Sequence, residues 1–128
     1  MREILFRGKR IDNGEWVCGD LLHEGYDYDV AIWETEGKLV TEVIPETVGQ
    51  YTGLTDKKAK KIFEGDVVKI LYADGFEIGA ICWNNLNFRF CFNSPEGFSY
   101  GFNVSNEFEV IGNIHDNPEL LKGGASDA

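Results

Sequence analysis

The chain has 128 residues, 43% of them hydrophobic, and sets twelve Lys and Arg against twenty-two Asp and Glu for a formal net charge of −10. That length admits one domain, or two small β subdomains sharing a core. The acidic balance excludes a large nonspecific nucleic-acid surface, which needs clustered cations. Residues 70–128 sharpen the point, with Arg89 and Lys122 as the only Lys or Arg against eight acids, a balance of −6. No apolar run approaches the ~20 residues that span a bilayer, and the start Met1-Arg2-Glu3 has no signal-peptide core, so a cytoplasmic protein is expected. Nine Phe, five Tyr and three Trp beside fifteen Gly favour short strands and tight turns over helices. Cys18, Cys82 and Cys91 form no CxxC pair, and an odd count fits no disulfide framework; reduced, buried thiols are expected.

Ile4-Leu5-Phe6 begins a first strand. Asp12-Asn13-Gly14 is a turn signal suited to a two-residue hairpin, and Glu15 to Leu22 returns as a second strand bent at Gly19. Arg7, Lys9 and Arg10 lie near the hairpin mouth; they suit a phosphate, but charged hairpin arms are more often solvated and paired. In His23 to Asp29 two tyrosines alternate with Asp27 and Asp29. A cation site from His23, Asp27 and Asp29 offers too few oxygen ligands and no closed loop. Val30 to Trp33 forms a third strand, Thr35 to Lys38 turns it, and Leu39 to Ile44 returns as a fourth.

The chain is organised around Val43 to Val68. Pro45 ends or bends the incoming strand. Val48 to Leu54 reads as a short strand in which Gly49 and Gly53 mark a bulge or close approach. Thr55 to Lys61, with Lys57, Lys58, Lys60 and Lys61, reads as an exposed turn or hairpin tip. Glu64-Gly65-Asp66 supplies a tight turn, Gly65 taking a positive φ and Asp66 bonding nearby amides. Here a resemblance emerges. VIPETVGQYTGL followed by KKIFEGDVVKI, with the opening MREILFRGKRIDNGEWVCGDLL and the late FEVIGNIHDNPELL, resembles the YopX family of phage and prophage proteins over nearly the whole chain. The resemblance implies a small, mostly β protein of a bacteriophage or prophage, in a bacterial host cell, with no established biochemical activity. The chain departs from the family at Ala59, where an Asn-Gly type turn is usual.

Beyond this stretch, Gly65 to Ile70, Asp74-Gly75 and Phe76 to Trp83 resemble the opening strands of SH3-like barrels, including those with KOW-type motifs. Five or six strands from Ile62 to Ile114 are expected to close, since closure removes sheet edges. Two turn positions are open for the segment after Trp83: one between Leu86 and Asn87, which sets Cys82 opposite Cys91, and one at Asn84-Asn85, which separates them. Phe88, Phe90 and Phe92 share one face. Core packing or self-association is favoured for this row over base stacking, because only Arg89 is near. Phe98, Tyr100 and Phe102 repeat the pattern, Ser94 to Gly97 turns between the two rows, and Phe108 to Ile114 is the last strand. Asp116 or Asn117 caps a short helix with Pro118 in its first turn.

The fold class expected is therefore mainly β: an N-terminal β subdomain over about residues 1–47, an SH3-like barrel over about 48–115, a short helix over 117–122 and a flexible tail over 123–128. No nucleophile elbow, P-loop or HExxH is present, so no catalytic site, metal or cofactor is expected. Asp20, Asp66, His115 and Asp116 are the polar residues to inspect for convergence, with Asp66 expected to hold its turn. The favoured reading is a non-enzymatic accessory protein that binds copies of itself or a host or phage protein, without membrane. The alternative is a nucleic-acid-associated module. The candidate binding residues are Lys57, Lys58, Lys60 and Lys61 at the tip and Phe88, Phe90 and Phe92 in the aromatic row.

Overall fold

The computed structural model describes residues 3–25, 28–34, 37–85, 89–97, 99–101 and 108–126. The chain is mainly β and divides into two compact units, Met1–Tyr51 and Thr52–Ala128. Among the described residues no helix is long and apolar enough to cross a membrane.

The N-terminal unit is an antiparallel run of β1 (Phe6–Lys9), β2 (Trp16–His23), β3 (Val30–Glu34) and β4 (Leu39–Glu42), in the order β4-β3-β2-β1. The first hairpin is wider than the Asn-Gly signal suggests. The Arg10 amide donates to the Glu15 carbonyl at 2.8 Å, which leaves Ile11 to Gly14 as a four-residue loop. Asn13 explains the difference: its side-chain oxygen accepts the Glu15 amide at 2.9 Å, and Gly14 alone takes a left-handed φ of 77°. At Gly19 a Cβ would collide with the Trp33 carbonyl, so the glycine admits β3 against β2.

The two ends of this four-strand run meet. Arg10 and Val43 form a bridge, the Ile11 amide donates to the Glu42 carbonyl at 3.3 Å and the Ile44 amide to Lys9 at 2.8 Å. Val43 is buried there, close against Gly8. Pro45–Thr47 then makes one 3-10 turn, whose Thr47 hydroxyl donates to the Ile44 carbonyl and accepts the Lys9 amide.

β5 (Gly49–Thr55) spans the division between the units: Gly49 and Gln50 pair with β1, and its later residues adjoin β6 (Lys61–Phe63). In the C-terminal unit β7 (Asp66–Tyr72), β8 (Gly75–Asn84), β9 (Arg89–Asn93), β10 (Ser99–Gly101) and β11 (Phe108–Asn113) form an antiparallel sheet ordered β10-β9-β8-β7-β11. Ile62, Val68, Ile81, Phe92 and Phe108 make its core, with Leu54, Ile70, Phe90 and Val110 packed against it. The Glu64-Gly65-Asp66 turn has the expected form. Gly65 has φ 94°, and the buried Asp66 carboxylate accepts the Phe63 amide at 2.8 Å.

The expected SH3-like barrel does not close. The outer edge of β11 is occupied instead by the chain before β6: the Lys57 amide donates to the Phe108 carbonyl at 3.0 Å, and the Val110 amide donates to an Asp56 carboxylate oxygen at 2.9 Å. Those two bonds satisfy the groups that a closing strand would use. A bulge between Val110 and Gly112 bends β11 beyond them.

After β11, the side-chain oxygen of Asn117 turns back to accept the Asn113 amide instead of capping α1 (Glu119–Ser126), which extends past the expected end at Lys122. Gly112 leaves room for Asn117 and Leu120.

Ala59 sits at φ 66°, in a region that costs a residue with a Cβ roughly 1–2 kcal/mol. Ala59→Gly is therefore expected to raise stability by about 0.5–1 kcal/mol, part of the relief being lost to glycine's greater unfolded-state entropy. A urea titration followed by tryptophan fluorescence checks this; an unchanged or lower midpoint contradicts it.

Candidate interaction surface

The lysine-rich tip is not a free cationic patch. Its first residue after β5, Asp56, is only 5% exposed, and one carboxylate oxygen accepts the amides of Lys58 and Lys60, each at 2.9 Å. The lysines ride on this frame. Lys58 Nζ lies 3.0 Å and Lys57 Nζ 3.8 Å from the two Glu109 oxygens, and the hydrogen bond and charge of Lys58, aided by Lys57 and Lys69, hold the Glu109 carboxyl below its usual range. Lys60 and Lys61 are exposed. Asp56 is the residue that sequence reasoning missed. The only local hint was an acid at the start of a turn.

The aromatic row is divided. Phe92 is fully buried and lies 6.4 Å from the Phe108 ring, while half-buried Phe90 meets Trp83 edge-on at 5.1 Å. These two residues pack into and against the core; Phe88, Phe98 and Phe102 lie outside the described residues, as does the Tyr100 side chain. Among the described residues of this unit, the strongly exposed large aromatics are Tyr72, Phe76 and Trp83. Tyr72 and Phe76 flank the Asp74-Gly75 turn, and residues at a hairpin tip outrun the facing layer, a cue present in the sequence.

In the N-terminal unit the basic residues at the hairpin are engaged within the fold. The Arg7 guanidinium lies 4.8 Å and the Lys9 ammonium 6.0 Å from the Trp16 ring centre. Arg10 holds both Asp12 oxygens, at 2.9 and 2.7 Å, and this hydrogen bond keeps the Asp12 carboxyl below its usual range. Among the described residues no group of three or more His, Cys, Asp or Glu is placed to hold a metal; Asp27 lies outside them. Asp66 holds its turn, and the His115 and Asp116 amides both donate to the Asn113 side-chain oxygen. Asp20 is exposed on β2 of the other unit. Cys18, expected to be buried, is exposed because β2 turns it to the solvent face, whereas Cys82 is half-buried and Cys91 buried.

What remains is an apolar strand edge. β4 is the outermost strand, with Leu39 52% and Val40 43% exposed. Beside it the chain of Arg10, Ile11 and Asp12 diverges from Leu39 to Glu42 and leaves a cleft of about 290 Å³. The Val43 amide donates to Val30, so the strand's alternation turns the Thr41 and Leu39 backbone toward β3 and that of Val40 outward. The Thr41 hydroxyl donates to Glu34 at 2.6 Å and steadies the strand.

A family model described as YopX protein matches residues 5–122. The fold is similar to the crystal structure of protein EF1440 from Enterococcus faecalis, with a TM-score of 0.58, 24% identity, and 94% of this chain and 99% of that chain covered. No curated protein matches the sequence. With the match running from β1 into α1 through both units, the chain belongs to the YopX family.

Proposed function

We propose that the chain is a non-enzymatic accessory protein of phage type that acts in the bacterial cytoplasm and self-associates through the edge of β4. One observation carries this reading: two neighbouring apolar residues, Leu39 and Val40, are exposed on an outermost strand that has no proline. Edge strands are usually blunted by charge, proline or a bulge, and an unblunted one pairs readily with another strand. An antiparallel pairing of β4 with its own copy would bring the exposed Leu39 and Val40 of both chains together. A two-fold contact of this kind uses one patch twice.

The nucleic-acid reading has less support, since Lys57 and Lys58 each face Glu109 and the chain carries a net charge of −10. Light scattering coupled to size exclusion, run across a dilution series, tests self-association. A dimer that dissociates on dilution is expected, with Val40→Lys weakening it at least tenfold, about 1.4 kcal/mol. A wild-type chain that stays monomeric at every concentration overturns the proposal.

A further inference from the structure

Cys82 on β8 and Cys91 on β9 are direct partners in the register, between Ile81↔Phe92 and Trp83↔Phe90. Of the two pairings left open by the sequence, this is the one that sets the cysteines opposite each other. The Ile81 carbonyl accepts the Gly65 amide on the β7 side, so alternation turns the Cys82 backbone toward β9 and makes the cysteines a hydrogen-bonded pair. Such pairs have Cα atoms about 5.5 Å apart, within the range that a disulfide bridges. The sulfurs lean to opposite ends of the pair: Cys82 Sγ lies 3.9 Å from the Ala80 carbonyl and Cys91 Sγ 3.9 Å from that of Arg89. Side-chain rotation about χ1 brings them together. A cleft of about 320 Å³, lined by Cys91, Trp83, Asn84, Asn93, Ser94 and Gly97, opens beside the pair and admits a small oxidant.

We infer that Cys82 and Cys91 form a reversible dithiol–disulfide couple, oxidised by hydroperoxides. One thiolate attacks the peroxide, breaking the O–O bond to give a sulfenic acid and, after protonation, water. The second thiolate then attacks that sulfur, forming the S–S bond and releasing a second water. Two thiols and one hydrogen peroxide thus yield one disulfide and two waters. Burial, and the neighbouring Cys91, push the Cys82 thiol up, while the Asn93 amide, donating to its sulfur at 2.8 Å, opposes this.

The test uses the full chain carrying Cys18→Ser, which removes the exposed third thiol. After treatment with hydrogen peroxide and denaturation, iodoacetamide should label neither Cys82 nor Cys91, and the intact mass should fall by two hydrogens. Trypsin cuts after Arg89, between the cysteines, so the oxidised sample should contain the Cys82 and Cys91 peptides joined, and dithiothreitol should separate them. A further Cys82→Ser change should abolish the joined peptide. Alkylation of both residues after peroxide, or conversion to sulfinic acid without a joined peptide, overturns the inference.

Discussion

Asp56→Ala is expected to lower the stability of the chain by about 3 kcal/mol, because the amides of Lys58, Lys60 and Val110 lose one charged acceptor together. The Val110 amide then lies on an edge strand with no replacement for the carboxylate. Chemical denaturation followed by circular dichroism measures the loss, and a change below about 1 kcal/mol would show that water replaces the carboxylate at no cost. Asp56→Asn keeps one oxygen and should fall between the two. Burial pushes the Asp56 carboxyl up, but the three amide bonds and nearby Lys60 outweigh it and hold the group below its usual value. The sign follows from linkage. A depressed folded-state value means that the stabilisation is complete above the ordinary carboxylate value, about 3.9, and is lost as pH falls through the lower folded one. Stability measured between pH 5 and 2 should therefore fall less steeply in Asp56→Asn than in the wild type.

Phe92→Ala is expected to cost about 3–5 kcal/mol, the range for removing a large aromatic from a close-packed core. Phe92 is fully buried among Ile62, Val68, Ile81 and Phe108, and a Cβ at Gly79 would lie 2.6 Å from its ring, so the surrounding wall has little freedom to collapse. Phe76→Ala, at the exposed hairpin tip, should change stability by no more than about 0.5 kcal/mol. Urea midpoints for the two variants measured side by side separate the core aromatic from the surface one. Equal effects would contradict the assignment of Phe92 to the core.

The features legible in the sequence were those whose cause is local. Glu64-Gly65-Asp66 showed its turn because the positive φ and the Asp66 bond to Phe63 lie within four residues. The Ser94 to Gly97 turn was readable for the same reason, and the Gly97 amide does donate to Ser94. Alternation placed Phe90 and Phe92 on one face but could not say whether that face met a core or solvent. The Cys82 register stayed open because the two turn positions, two residues apart, give Cys82 different partners on β9, and no local signal chooses between them. Barrel closure was not readable at all. It failed through the bonds of Asp56 and Lys57 to β11, whose partners stand more than fifty residues away. The exposed edge at Leu39 and Val40 was likewise hidden, since the sequence shows strands but not which one ends a sheet.

The bond from Asp56 to Val110 joins residues 54 apart, while its bonds to Lys58 and Lys60 join neighbours. Closing a loop of that length rather than one of four residues costs roughly 2 kcal/mol more in chain entropy. The shape of the lysine tip is accordingly not a local property of residues 55–61. It is completed only when the last strand is in place, and any event that strips β11 from the sheet releases the tip with it. Tip and strand thus open and close as one cooperative segment.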